Sequence, residues 1–169
     1  ESYYRAKRRL FEYMLLSSRK QPESAKGAVI CIDDDYGRRL YLWLKSQTPS
    51  FPVISLSLRD KAADAYITDV EATFDGYSCV LIFAQKSYFI KTRLLGRFNL
   101  MNLSSAFLAL LCLGFGTEEA LAAIQQVEPV PGRFEVLRGK EQRAVIIDYA
   151  HSPDALAKVL ETAQELTPA

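Results

Sequence analysis

The stretch from Val145 to Leu156, VIIDYAHSPDAL, constrains the fold more than any other part of the chain. Val145 to Ile147 are apolar and β-branched, the composition of a strand buried in a parallel sheet. Ser152 is a natural cap for the helix that follows. Pro153 suits that helix's first position, and Asp154 places negative charge in its first turn. A greasy strand running straight into a capped helix is predicted to belong to an α/β domain. In open α/β sheets, ligands lie beyond the carboxyl ends of the strands. Asp148, Tyr149 and His151, the only histidine, fall at that point, so the junction is predicted to be a site.

The remaining pattern fits the same class. Residues 1–18 are predicted to form a basic amphipathic helix, with Tyr3, Lys7, Leu10, Phe11 and Met14 at helical spacing. A polar loop over 19–27 leads to a strand at 28–32, Asp33 to Asp35, and a helix at 38–46. A strand follows over 51–58. Three short strands then crowd into 66–94, separated by turn signals at Asp75-Gly76 and near Gln85-Lys86. Strands so close together imply an antiparallel meander, because a parallel crossover ordinarily takes a dozen residues or more. Helices return at 101–113 and 118–127, the second with Thr117 as its N-cap. A strand at 134–137 and a turn over 138–143 precede the junction. The expected architecture is a mostly parallel, Rossmann-like sheet flanked by helices, with a small antiparallel three-stranded sheet over 65–95.

Bulk properties exclude several classes of function. The 21 basic and 20 acidic residues nearly cancel, so neither a nucleic-acid stripe nor a polybasic membrane patch is indicated. Cys31, Cys79 and Cys112 are widely spaced in apolar contexts, which predicts reduced, buried thiols rather than disulfides or zinc ligands. The longest apolar stretch, 107–115, is too short to span a bilayer. No signal peptide is evident, and a cytoplasmic location is expected. Helical periodicity is already running at Tyr3 without an initiator methionine, and the chain stops just after a helix. A fragment of a longer protein is therefore expected.

Five groups of residues could carry chemistry. Asp33, Asp34 and Asp35 follow a strand and could hold magnesium or a ribose hydroxyl, although capping of the next helix is the favoured reading. In Gly96 to Asn102, Asn99 is a plausible N-cap, and Asn102 lies about a turn beyond it. Their amides suit an adenine edge, and the helix end suits phosphate. Arg133 follows a proline–glycine loop and could fork onto phosphate oxygens or simply be a surface charge. Lys7, by its context alone, reads as a solvated or snorkelling side chain. His151, in a turn past a strand end, is at least as well placed for a ligand as for the core. No GxxxxGK[ST] loop, GxGxxG motif or metal-spaced histidine pair occurs.

These pieces also occur in a familiar order. ESYYRAKRRLF (1–11), Asp33 to Gly37, GRFNLMN (96–102), VPGRFEV (130–136) and DYAHSPDAL (148–156) closely resemble the Mur ligases. The nearest branch is the one that adds the third residue of the peptidoglycan stem peptide. The resemblance implies that residues 1–169 are a fragment of the central ATP-binding domain. The UDP-sugar domain, the phosphate loop and the C-terminal domain would lie outside it. It implies an ATP- and Mg2+-dependent amide ligase that acts through an acyl phosphate on UDP-N-acetylmuramoyl-L-alanyl-D-glutamate and an amino acid, with no nucleic-acid partner and no membrane insertion. By the same resemblance, Lys7 matches a carbamylated lysine on the magnesium side. Asn99 and Asn102 belong near the nucleotide, and Arg133 near its ribose and phosphates. Asp148, Tyr149 and His151 fall in the nucleotide-contacting motif, with the imidazole against adenine. Relatives often carry asparagine where Cys31 stands, ahead of Asp33 and Asp34, the other candidate metal ligands. The alternatives are a cyanophycin- or folylpolyglutamate-synthetase-like ligase, or a non-catalytic nucleotide-binding or interaction module. The isolated fragment is expected to be inactive.

Overall fold

The computed structural model describes residues 1–20, 26–73, 75–139 and 143–166. Most of the expected loop over 19–27 and the tip of the 138–143 turn fall outside the described residues. The α/β class is borne out. One five-stranded sheet has the order β1 (Ala28–Cys31), β2 (Val53–Ser57), β3 (Ala65–Thr73), β4 (Gly76–Phe83), β5 (Lys86–Thr92). The first three strands pair in parallel and the last three antiparallel, so the meander continues the parallel sheet through the shared strand β3.

Strand β2, between β1 and β3, shows why helices cover both faces. Val53 packs beneath α1 (Ser2–Lys20) and α2 (Asp35–Ser46) with Tyr4, Leu15, Leu40 and Leu44. Ile54 and Leu56 instead join the larger core with Leu100, Phe107 and Leu108 of α3 (Arg97–Cys112) and Ile124 of α4 (Thr117–Gln125). The two-residue period of a strand sends neighbours to opposite faces, so β2 is wholly buried on both of them, its serines Ser55 and Ser57 included.

Between β2 and β3 the chain makes a parallel connection without a helix. The strands overlap only at Leu56–Ala65 and Ser57–Tyr66, so the chain need not travel back along β2 before β3 begins. Asp64 holds this junction. Its Oδ2 accepts from Ser55 N–H at 2.8 Å, Ser55 Oγ at 2.7 Å and the Tyr41 hydroxyl at 3.0 Å. Further along the sheet, β4 and β5 meet through Ala84 and Gln85, both at positive φ, the backbone hand that a tight hairpin requires. At the β5 edge, Gln125 Oε1 accepts from Lys91 N–H at 3.0 Å, so α4 caps a backbone donor that an open edge would expose.

Two local expectations are corrected. The strand predicted to be parallel and buried, now β7 (Ala144–Ile147), pairs antiparallel with β6 (Glu135–Arg138) as a separate two-stranded sheet. Val145 is 60% exposed and Ile147 42%. The short connection between them permits only an antiparallel pairing. The following helix, α5 (Pro153–Leu166), leaves β7 and buries Thr162 and Leu166 instead. Helix starts also move. Gly96, not Asn99, caps α3, and Gly116, not Thr117, caps α4. The Ser152 cap is seen, with Ala155 N–H donating to its Oγ at 3.2 Å.

Candidate functional site

The turn before β6 and the end of β7 build the main cluster. Gly132 and Phe134 both adopt left-handed backbone, at φ 71° and 51°. For a bulky residue such as phenylalanine this costs on the order of 1–2 kcal/mol, which the surroundings must offset. Phe134 does so partly by burying its ring in the main core, where it is 2% exposed. Backbone pinning does the rest. Phe134 N–H donates to Asp148 Oδ2 at 2.8 Å, Tyr149 N–H to Gly132 O at 3.0 Å, and Gly132 N–H to Glu135 Oε2 at 2.9 Å.

Arg133 emerges from the middle of this pinned turn. Its guanidinium lies 5.4 Å from the centroid of the Tyr149 ring, and among the described residues no carboxylate forms an ion pair with it. The His151 ring meets Tyr149 edge-on at 5.1 Å. His151 Nδ1 stands 3.0 Å from Tyr149 O. A carbonyl can only accept, so Nδ1 donates here, and in the neutral ring Nε2 is then the acceptor. Both Tyr149 and His151 are exposed. The structure thus brings together Arg133, Asp148, Tyr149 and His151, with Asp148 turned to the backbone of Phe134.

A cleft of about 740 Å³ lies between this turn and the segment leading into α3. Arg93, Leu94 and Leu95 line one side, and Arg133, Phe134 and Glu135 line the other. Asn99 Nδ2 donates to Leu95 O at 2.9 Å, and Asn102 Nδ2 donates to Asn99 Oδ1 at 3.3 Å. The two asparagines therefore shape the approach to α3, and Asn99 serves as a tie within its first turn rather than as its cap.

The acidic cluster is mostly committed within the chain. Asp34 caps α2, accepting from Gly37 N–H at 2.8 Å, as the capping reading expected. Asp33 joins the ends of β1 and β2: its Oδ1 accepts from Ser57 Oγ and its Oδ2 from Leu58 N–H. Ser57 Oγ in turn accepts from the backbone of Arg59 and Asp60. Each Asp33 oxygen thus already accepts one hydrogen bond, which fixes the carboxylate against the end of β2. Asp34 keeps one oxygen free of these bonds and lines a pocket of about 330 Å³ with Lys7, Glu1, Tyr3, Tyr4 and Tyr36. Lys7 is exposed, with its Nζ 5.3 Å from the Tyr3 ring centroid. Lys7 and Asp34 thus share one pocket, away from the Arg133 turn. Among the described residues no three His, Cys, Asp or Glu side chains gather as a metal cluster.

Cys31, at the end of β1, lines another cleft with Asp33, Asp34, Arg97 and Phe98. Burial pushes its thiol pKa upward, with Asp33 and Asp34 adding to the effect. Cys31, Cys79 and Cys112 are free; Cys79 is buried as expected, whereas Cys31 and Cys112 are only half-buried.

Two residues escaped the sequence reading. Ser57 looked like the unremarked end of a strand. Glu135 lies three residues beyond Gly132, the same spacing by which a capping-box acid reaches back to a backbone N–H.

Comparison with known proteins adds the decisive observation. The model of the Mur ligase middle domain matches residues 1–110, and that of the Mur ligase glutamate ligase domain matches residues 132–169. The chain belongs to the Mur ligase family. A relative from Neisseria meningitidis serogroup B, UDP-N-acetylmuramoyl-L-alanyl-D-glutamate--2,6-diaminopimelate ligase, is 38% identical over 169 residues, 99% of this chain and 32% of the relative. The Mur ligase chain thus spans about a third of the length of the curated relatives it matches. A solved structure of a ligase of that same name superposes with a TM-score of 0.74 at 34% identity, covering 99% of this chain and 32% of that one. Fold likeness alone extends to the Thermotoga maritima MurF ligase in complex with ADP (TM-score 0.61, 19% identity, 84% of this chain and 31% of that one).

Proposed function

We propose that this Mur ligase chain forms the adenine-side wall of the active site of an ATP-dependent amide ligase. In this reading the parent enzyme adds the third amino acid, diaminopimelate or lysine, to UDP-N-acetylmuramoyl-L-alanyl-D-glutamate. The observation that carries the reading is the exposed group of Arg133, Tyr149 and His151 on a pinned turn. It lies in a chain 38% identical to a ligase of that specificity. The chain would span the boundary between a central and a C-terminal domain, with the Arg133 turn and β7 just past it. The phosphate loop would come from outside these residues.

Each side chain has a role that its geometry supports. Arg133, with no ion pair among the described residues, supplies a planar fork for phosphate oxygens. Tyr149 offers an aromatic face, and His151 Nε2 offers an acceptor for an exocyclic amine. Asn99 and Asn102 hold the segment that lines the opposite side of the cleft. When bound, ATP would supply the phosphoryl group that activates a substrate carboxylate. Lys7, as its carbamate, and Asp34 would be the ligands on the magnesium side, which hard cations require to be oxygens. Asp33 would brace that loop.

Assay of the full-length protein encoded by the parent gene tests this reading. Amide formation with phosphate release is expected from UDP-N-acetylmuramoyl-L-alanyl-D-glutamate with diaminopimelate or lysine. Arg133→Ala should lower kcat/KM by about 100-fold, the loss expected of a transition-state charge contact. Activity on folate or cyanophycin substrates instead would refute the peptidoglycan reading. The purified 169-residue chain should form no amide at all, and detectable ligation by it would contradict the proposed division of the active site.

A further inference from the structure

We infer that Glu135 is a positioning residue: its carboxylate locks the turn that aims Arg133 into the cleft. The inference rests on the nucleotide reading above, but its geometric part can be judged without a nucleotide.

The turn holds left-handed backbone at two of three consecutive residues, Gly132 and Phe134, a form that is unfavourable at Phe134. Such a form persists only where neighbours over-determine it. Three contacts do so from outside the turn. The Phe134 ring is anchored in the core, Asp148 takes the Phe134 N–H, and Tyr149 N–H takes the Gly132 carbonyl. All three fix the flanks. The Gly132 N–H points into the turn itself, and Glu135 alone meets it, reaching back from the first residue of β6 at 2.9 Å. Glu135 is itself held in register opposite Ile147, so its backbone cannot follow the turn if the turn relaxes. Arg133 sits between the two locked donors, and among the described residues no ion pair orients its guanidinium. Its direction over Tyr149 is therefore inherited from the turn. With the Glu135 lock removed, Gly132 and Arg133 keep the bonds from Tyr149 N–H to Gly132 O and from Arg133 N–H to Val130 O, both at 3.0 Å, and the freedom regained at Gly132 loosens the aim of Arg133.

Only an acceptor at the right reach is required, not a charge. Glu135→Gln retains a side-chain carbonyl at the same length. Glu135→Asp retains the charge but withdraws the oxygen by one methylene, and Glu135→Ala removes it. The test uses the isotope-labelled 169-residue chain by NMR. In the free chain, Glu135→Ala and Glu135→Asp should speed amide exchange at Gly132 about tenfold, the scale of one lost hydrogen bond, and should shift the Arg133 Nε–H resonance. Glu135→Gln should do neither. With ADP as the probe, affinity should fall about tenfold for Ala and Asp and stay near wild type for Gln.

Unchanged Gly132 exchange in both Ala and Asp variants would overturn the lock. A Gln variant as impaired as Ala would overturn it too, showing that the charge itself is used. No ADP binding by the wild-type chain would instead refute the nucleotide reading and leave the free-chain resonances to judge the lock.

Discussion

At the residue scale, several carboxylates of this chain act as internal braces. Asp64 is the clearest case. Burial alone would raise its pKa, but hydrogen bonds from Ser55 N–H, Ser55 Oγ and the Tyr41 hydroxyl, with the charge of Lys45, outweigh that and lower it. A pKa lower in the folded than in the unfolded state stabilises the fold above the ordinary carboxylate range. That contribution is lost as pH falls through the folded value. Stability measured by denaturant titration should therefore drop on the acid side of about pH 4, and Asp64→Asn should flatten that limb. Asp33 is a second brace. Ser57→Ala would strand one carboxylate oxygen and the N–H groups of Arg59 and Asp60, at a cost of roughly 1–3 kcal/mol in unfolding free energy. A loss below about 0.5 kcal/mol would show that Asp33 finds another partner as readily. Residue type and order suggested a magnesium role for Asp33, and its commitment to Ser57 could not be seen in the sequence because the partner lies 24 positions away.

At the element scale, α2 shows how closely helix and strand approach. A Cβ on Gly37 would lie 1.9 Å from Cys31 O, a collision with backbone that no side-chain rotation relieves. Gly37→Ala should lower stability by at least about 2 kcal/mol, read as a fall in the denaturation midpoint at unchanged m-value. The same residue is legible in the sequence only as a helix-disfavouring oddity just past Asp34. Elements with strong local signals were read well: the helix periodicity of 1–18, the alternation of the meander and the Ser152 cap. Those decided by partners were not. Val145 to Ile147 carry the composition of a buried strand, yet pair with β6 and remain largely exposed, because composition reports propensity and not which neighbour supplies the hydrogen bonds. Cap positions slipped for a related reason. Gly96 and Gly116 do the capping without a side chain, so Asn99 and Thr117 looked like the better candidates.

At the scale of the whole molecule, one acid of α5 adds a polar tie to the burial of Thr162 and Leu166. Glu165 accepts from the Tyr77 hydroxyl at 2.9 Å and from Arg97 Nε at 2.7 Å. Tyr77 is 1% exposed, and burial followed by the nearby Glu165 pushes its pKa well upward. The Arg97–Glu165 pair is about half exposed, so a double-mutant cycle on it should give no more than about 1 kcal/mol. Removing the Tyr77 hydroxyl as well should loosen α5, seen as faster amide exchange along Pro153–Leu166 while β2 stays protected. The sequence motifs at 96–102, 130–136 and 148–156 named the parts of the candidate site in order. Only the fold shows that Arg133, Tyr149 and His151 share one surface, while Lys7 and Asp34 occupy another pocket. The first of these surfaces is proposed as a nucleotide wall. Titrating ADP into the isotope-labelled 169-residue chain tests it most directly. Weak but saturable shifts at Arg133, Tyr149, His151 and Asn99, with β4 and β5 silent, are predicted; shifts elsewhere alone, or none at any of these four residues, would contradict the account.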